Sequence, residues 1–213
     1  MTSAEEAWRA LERPWQAAFE EAWASWRAGC FGIGAVLAGD DGTVVARGRN
    51  RVLEQAGGES HSLRESLIAH AEMNAFLDFP IERGTADGLT LFTTMQPCLM
   101  CMSTAVMLRV REIRFATDDA MFEGITEALA SAPYCMERMP VMVGPLPGKL
   151  ATFALLLPLA FSRTWTPRGR WSRRYAEAHP ELTSIADEIL ASGRLRQFDG
   201  PLAALEALWD ELG

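Results

Sequence analysis

Two short motifs that carry metal-ligand side chains constrain the fold of this chain more than any other feature. The sequence His-Ala-Glu spans 70–72, and Pro-Cys-Leu-Met-Cys spans 97–101. Histidine nitrogen and cysteine sulfur are ligands that zinc prefers, usually arranged as a tetrahedron. His70, Cys98 and Cys101 therefore predict a metal site, and the chain must fold so that the two motifs meet.

The number of available ligands favours a catalytic site over a structural or redox one. A structural zinc site takes four protein ligands, whereas a catalytic site leaves the fourth position to water. The remaining cysteines and histidines lie away from the motifs: Cys30, His61, Cys135 and His179. Cys98 and Cys101 are three residues apart at a predicted helix start, so they face one side, and the helix dipole there stabilises thiolates.

Glu72 follows His70 by two positions, which on a helix turns the two side chains apart. We therefore expect Glu72 to act as a general acid and base beside the metal-bound water rather than as a further ligand. Zinc lowers the pKa of bound water towards neutrality, and Glu72 would carry the proton that this water loses.

Apolar runs and turn signals predict a β-β-α-β-α-β-α-β order. The tetrapeptide Gly-Asp-Asp-Gly at 39–42 marks a hairpin between the first two strands. The predicted strands cover 31–37, 43–48, 89–94, 112–117 and 141–143, and the predicted helices cover 67–79, 98–108 and 118–130. This order implies an α/β fold: a three-layer α/β/α arrangement with a five-stranded mixed sheet.

Helical extensions are predicted on both sides of this domain. Apolar residues, several of them tryptophan, recur at helical spacing over 4–27, with Pro14 expected to kink or restart the helix. Such a stripe is typical of packed core. Further helices are predicted over 150–161, 180–190 and 201–212, and a flexible loop over 53–66. The predicted division is an N-terminal helical segment (1–28), a metal-binding domain (29–145) and a C-terminal helical extension (146–213) packed on the core or on a neighbouring subunit.

The charge of the chain favours a small substrate. The formal net charge is −8, which disfavours a long nucleic-acid partner through repulsion from its phosphates. One basic cluster, over 163–174, contains arginines and two tryptophans, which can bind phosphate and stack on bases. In an acidic chain, a solvated or interface segment is the preferred interpretation of this cluster.

Nothing in the sequence indicates a membrane partner. The N-terminus is polar and acidic, unlike a signal peptide, and the longest apolar run, over 150–161, is too short to cross a bilayer. We therefore expect a soluble, cytoplasmic protein.

The two motifs together resemble those of the cytidine deaminase-like superfamily of zinc-dependent nucleobase and nucleoside deaminases. Segments 70–75 and 93–101 resemble its two core motifs. Segments 34–37 and 48–51 resemble the strand pair that precedes them. The resemblance covers 31–117.

This resemblance implies a deaminase domain over 29–145 that holds one Zn2+ on His70, Cys98 and Cys101. Zinc-bound hydroxide would attack the amino-bearing carbon of the ring, Glu72 would move protons, and ammonia would leave. The resemblance also implies a homodimer.

The motifs indicate which branches of the superfamily this chain resembles most. His70 stands where the nucleoside cytidine deaminases have cysteine, and the riboflavin-pathway deaminases space their two cysteines farther apart. The guanine deaminase and tRNA adenosine deaminase branches resemble this chain most. In the purine-type branches an asparagine at the position of Asn50 binds the substrate, and we place Ala71 in the same substrate pocket.

Asp118 and Asp119 are weaker candidates for substrate binding. They follow the fourth predicted strand, at the strand end where α/β sheets place ligands. A carboxylate there can accept a hydrogen bond from a ring N–H or an amino group, but it can equally cap the next helix. Phe122, Trp165 and Trp171 could stack on a base, although core packing is the preferred interpretation for each.

The favoured interpretation is a hydrolytic deaminase of a free nucleobase or small nucleoside. A purine-like base such as guanine or an isomer is preferred, in purine metabolism. Three alternatives stay open: a tRNA adenosine deaminase, a cytosine or deoxycytidylate-type deaminase, and a non-catalytic zinc-stabilised partner protein.

Overall fold

The sheet has five strands and a mixed order, which confirms the fold class. The computed structural model describes residues 3–55 and 62–213. The strands are β1 (Gly34–Ala38), β2 (Val44–Arg49), β3 (Thr90–Thr93), β4 (Glu112–Phe115) and β5 (Val141–Val143). They lie in the order β2-β1-β3-β4-β5; β1 is antiparallel to β2 and to β3, whereas β3, β4 and β5 run parallel.

Strand β1 is an internal strand that is buried on both faces. Val36 and Ala38 lie in one hydrophobic cluster, whereas Ala35 and Leu37 lie in the cluster on the other side of the sheet. This alternation follows from the two-residue period of a strand. Helices on both faces are therefore needed to cover the sheet.

Ten helices are found within the described residues. They are α1 (Ala4–Ala10), α2 (Arg13–Arg27), α3 (Ala71–Asp78), α4 (Leu99–Leu108), α5 (Ile125–Ala130), α6 (Pro133–Met136), α7 (Lys149–Trp165), α8 (Arg170–Ala178), α9 (Pro180–Ser192) and α10 (Pro201–Leu208). Helices α3 and α4 share the cluster of Ala35 and Leu37. Helices α1, α2, α7, α9 and α10 share the opposite cluster, which completes three layers.

The N-terminal segment is divided into two helices, in line with the kink or restart expected at Pro14. The chain leaves the helical conformation at Leu11, and Pro14 lies in the first turn of α2, where its missing N–H costs no hydrogen bond. Trp15 and Trp23 are buried in the hydrophobic cluster that also contains Val36 of β1. The tryptophan stripe therefore packs in the core, as predicted, and the structure places it on the same face of the sheet as α7.

The predicted helix over 67–79 begins four residues later than expected, at Ala71. His70 has an extended backbone (φ −71°, ψ 160°) and precedes the helix as its N-cap. The earlier start was expected because Ser66 could cap the helix, but His70 is the N-cap, and Leu67 and Ile68 precede the helix and are exposed. Residues 56–61 of the predicted loop, and with them His61, lie outside the described residues.

The segments after β4 also differ from prediction. The helix expected over 118–130 covers only Ile125–Ala130, because the preceding residues form turns around Asp119. The basic cluster over 163–174 is largely helical: α7 continues to Trp165, and α8 contains the rest from Arg170 onwards.

The C-terminal extension packs on the core of its own chain. Helix α7 is buried almost throughout from Phe153 to Ser162, in the same cluster as Phe19 of α2. No helix in the described part of the chain is long and apolar enough to cross a membrane. The extension thus forms one layer with the N-terminal helices.

Two strand glycines let helices approach the sheet closely. A Cβ at Gly48 would collide with the backbone of α3 at Ala71 O and Ala75 N, and a Cβ at Gly34 would collide with Ala18 O of α2. A side chain at Gly48 would push α3 outwards. Gly48 therefore sets how close the residues at the start of α3 lie to the sheet.

Candidate active site

Two helix N-termini meet beside the carboxyl end of β3. His70 is the N-cap of α3 and Cys98 is the N-cap of α4, and both have an extended backbone. Cys101 lies one turn further along α4 and is fully buried. The unpaired N–H groups and the dipoles of both helices favour negative charge at this point.

The three predicted ligand atoms have the spacing of a tetrahedral zinc site. His70 Nδ1 lies 3.5 Å from Cys98 Sγ and 3.7 Å from Cys101 Sγ, and the two sulfurs are 3.6 Å apart. Zinc bonds of about 2.3 Å to sulfur and about 2.0 Å to nitrogen at tetrahedral angles separate ligand atoms by about 3.5 to 3.8 Å. The donor set and its geometry thus fit a zinc ion.

The three ligand side chains shift one another's pKa values. The hydrogen bond between the Cys98 and Cys101 sulfurs, helped by His70, lowers the pKa of Cys98 to about 4. The same bond and burial raise the pKa of Cys101 well above its usual range. Burial opposes a charged His70, but its hydrogen bond to Cys98 and the charge of Glu72 outweigh this and raise its pKa.

Glu72 lies next to this ligand set and is almost fully buried. Its Oε1 accepts a hydrogen bond from Thr93 Oγ1 at 3.0 Å, and its Oε2 lies 3.4 Å from Cys101 Sγ. Burial raises the pKa of Glu72. Because His70 lies outside α3, the expected turn between the two side chains does not separate them widely. A buried carboxyl group with a raised pKa is suited to accepting and returning a proton.

A small cavity of about 40 Å³ opens onto these groups. Around the ligands and Glu72 it is lined by Ile33, Asn50, Ala71, Gln96, Asp119 and Phe122. Asn50 is almost fully buried, and its Oδ1 accepts the N–H of Val52 at 3.2 Å, so its amide nitrogen is the donor it can offer to a ligand. Ala71 is the first residue of α3 and adds backbone to the cavity wall.

The structure separates the two candidate aspartates. Asp119 is buried in the cavity wall, whereas Asp118 is exposed and lines a different groove on the protein, beside His179. Two hydrogen bonds hold the Asp119 carboxylate inwards: Oδ1 accepts from Tyr175 Oη at 2.8 Å and from the N–H of Met121 at 2.9 Å. Asp118 lacks these bonds and lies outside the site.

Of the three aromatic candidates, only Phe122 lines the cavity. Trp165 is partly exposed and packs against Phe31, whereas Trp171 stacks on Tyr175 with ring centroids 4.1 Å apart. Trp171 therefore borders the site through Tyr175, not by facing the cavity.

Sequence reasoning missed Thr93, Gln96 and Tyr175. Thr93 and Gln96 belong to the segment 93–101 that was compared with the family motif, so their position was a usable signal. Gln96 Oε1 accepts the backbone N–H of Asp119 at 3.1 Å, which ties the two loops of the site together. Tyr175 lies far along the chain from every motif, and no local pattern marks it.

Comparisons with known proteins agree with this geometry. The sequence profile described as the cytidine and deoxycytidylate deaminase zinc-binding region matches residues 9–117, about half of the chain. A tRNA-specific adenosine deaminase of Bacillus subtilis is 36% identical over 92 residues, which cover 41% of this chain and 49% of that protein. A tRNA(Ile)-lysidine synthase of Deinococcus deserti is 30% identical over 104 residues, 46% of this chain and 18% of that protein.

A solved structure in complex with 2,6-diaminopurine has a similar fold. It superposes with a TM-score of 0.50 at 20% identity and covers 80% of this chain and 85% of its own. This likeness concerns the fold alone. This chain spans about half of one of the two curated relatives and less than a fifth of the other.

Proposed function

The chain belongs to the cytidine and deoxycytidylate deaminase zinc-binding family, and on that premise we propose that it is a zinc-dependent hydrolase that deaminates a heterocyclic base. The observation that carries the proposal is the tetrahedral spacing of His70, Cys98 and Cys101 with one buried carboxylate beside them. Within the described residues three ligand side chains converge, and a catalytic zinc site takes three protein ligands and leaves the fourth position to water.

Zinc bound by these three residues would act as a Lewis acid and lower the pKa of a coordinated water molecule. Glu72 would accept the proton that the attacking water loses and deliver it to the departing amino group. Thr93 supports this role because its bond to Oε1 fixes the carboxylate. Burial excludes competing water, and the raised pKa of Glu72 favours proton uptake.

The cavity walls suggest how a base would be recognised. Asn50 would donate from its amide nitrogen, Ala71 would contribute its backbone, and Asp119 would accept from the substrate. A donor and an acceptor on the walls of a narrow cavity suit a planar heterocycle with polar edges. We therefore propose a free purine-like base such as guanine or an isomer as the preferred substrate, in purine metabolism.

A second candidate function is deamination of adenosine in tRNA. One curated relative is named as a tRNA-specific adenosine deaminase. A specific observation favours an RNA partner: Arg168, Arg170, Arg173 and Arg174 are exposed on and just before α8, and within the described part of the chain none of them forms an ion pair. The net charge of −8 argues against it, since phosphate contacts would have to overcome general repulsion.

The arginine surface can be tested directly. If RNA is the substrate, tRNA binding should weaken steeply with salt, and Arg173→Glu with Arg174→Glu should weaken it further. The exposed Arg83→Glu, on a different surface, is the matched control. If the two α8 substitutions leave tRNA binding unchanged, the tRNA deaminase function is rejected.

We further propose a homodimer located in the cytoplasm. Large apolar side chains lie exposed on the α3 and α4 side of the molecule, among them Leu77, Leu99 and Met107. Such side chains suit an interface between copies of the chain.

The decisive experiment is an ammonia-release assay of the zinc-loaded protein over guanine, isoguanine, cytosine, adenine and the corresponding nucleosides and deoxycytidylate. Release should occur with one class and should fall at least about a hundredfold in Glu72→Gln with zinc retained. The exposed Glu206→Gln should have no effect. Full activity of Glu72→Gln would reject the mechanism, and a zinc-loaded protein inactive on every compound, RNA included, would favour a non-catalytic zinc-stabilised partner.

A further inference from the structure

Helix α8 places the buried side chain of Tyr175 beside Asp119, a residue that lines the active-site cavity. Its sequence is rich in arginine, and its outer face is exposed, yet Tyr175 is only 1% exposed and ranks among the largest fully buried side chains of the described residues. Trp171, one turn earlier, stacks on the tyrosine ring. This face of α8 lies outside the segment that matches the family profile.

The hydrogen bonds around Tyr175 Oη define where its proton lies. The backbone N–H of Ala120 donates to this oxygen at 2.8 Å, and Asp119 Oδ1 lies 2.8 Å from it. A phenol has one proton to donate. Two acceptors lie near this proton, the carbonyl oxygen of Asp118 at 3.4 Å and Asp119 Oδ1 at 2.8 Å, and the shorter bond to the charged carboxylate is the stronger one.

The carboxylate is therefore held in one orientation. Tyr175 and the N–H of Met121 both bind Oδ1. Gln96 fixes the backbone of the same residue. A buried carboxylate aligned in this way is a preorganised acceptor, which strengthens its discrimination between ligands that do and do not offer a donor.

We infer that Tyr175 is a positioning residue that aligns Asp119 as a hydrogen-bond acceptor in the substrate cavity, so that the site selects bases with a second donor on the pyrimidine ring. That donor is a lactam N–H or a further amino group, beside the amino group that leaves. Guanine and 2,6-diaminopurine carry it, whereas adenine and adenosine do not. The inference rests on the proposed function and names its substrate class.

The test compares Tyr175→Phe with Asp119→Asn and their double mutant, with guanine and 2-aminopurine as a probe pair: both carry the 2-amino group that leaves, and only guanine has the adjacent lactam N–H. Tyr175→Phe keeps the ring that stacks on Trp171 and removes only the hydroxyl. Tyr134→Phe, at the exposed second tyrosine, is the matched control. Zinc content and melting temperature are measured for each variant to separate positioning from folding.

We expect the preference for guanine over 2-aminopurine, as a ratio of kcat/KM, to fall about tenfold or more in Tyr175→Phe, and Asp119→Asn to lower it at least as far. Because Tyr175 acts through Asp119, adding Tyr175→Phe to Asp119→Asn should change the ratio little. An unchanged ratio in Tyr175→Phe, or additive losses in the double mutant, would overturn the inference. An equal fall for both bases with a lowered melting temperature would also overturn it, because it indicates a structural role alone.

Binding to the zinc-loaded Glu72→Gln protein separates this inference from the proposed function. Calorimetric titration with the two bases should show a preference that Tyr175→Phe reduces. Such a preference without turnover by the wild-type protein would reject the deaminase function and keep the positioning role. Turnover without any dependence on Tyr175 would do the reverse, and no binding of either base would overturn the inference.

Discussion

His70 Nδ1 and Cys98 Sγ lie 3.5 Å apart although 28 residues separate them in the chain. Each is the N-cap residue of its own helix, so two helix starts converge on one point. N-cap positions leave the side chain free of the helix cylinder while the dipole still acts on it. This arrangement explains how two motifs form one metal site.

The metal site should depend on the two motif cysteines and on no other. Cys101→Ser should lose bound zinc, because two remaining ligands hold the metal weakly. Cys135→Ser, at a partly exposed cysteine outside the site, should retain it. Metal analysis of the purified variants measures the outcome. Stoichiometric zinc in Cys101→Ser would contradict the proposed ligand set.

Zinc affinity should weaken as the pH falls. Zinc must displace protons from Cys101 and His70, whose pKa values are both raised, whereas Cys98, with a pKa of about 4, is already ionised near neutrality. The apparent affinity should therefore fall about tenfold per pH unit for each proton displaced. Competition with a chelator of known affinity at several pH values near neutrality checks this. A flat profile would show that the apo ligands are already deprotonated.

Substitution of Gly48, which lies outside the metal site, should weaken that site by displacing α3. In Gly48→Ala the new Cβ meets the backbone of α3 at Ala71 and Ala75, so the helix must shift. We expect a loss of about 1 to 3 kcal/mol in the free energy of unfolding, together with weaker zinc binding. Gly200→Ala is the control, because nothing lies within 4 Å of a Cβ there. Denaturant titration and metal analysis of both variants decide the point.

The exposed apolar side chains of α3 and α4 should form an interface between two copies. Light scattering should give twice the mass of one chain, and Met107→Glu should shift the protein towards monomer, because a buried unpaired charge is costly. The exposed Gln197→Glu, far along the chain, should leave the mass unchanged. A wild-type monomer at micromolar concentration would reject the dimer.

The sequence by itself determined the fold class and the ligand types, whereas the acid-base role of Glu72 stays a prediction. These depend on local information: strand alternation, turn residues, and ligand spacing that a helix start converts into a shared direction. Pro14 was likewise recognised as a restart point because proline acts on its own turn. Each of these features depends on residues that lie close together in the sequence.

Only the tertiary structure decided the start of α3, the choice between Asp118 and Asp119, and the presence of Tyr175. Apolar spacing cannot distinguish a buried Leu67 from an exposed one, because burial depends on what packs opposite. The Asp119 carboxylate turns inwards through bonds to a helix 56 residues away. Such a contact leaves no periodicity in the chain, since it is formed by the packing of separate elements rather than by the local backbone.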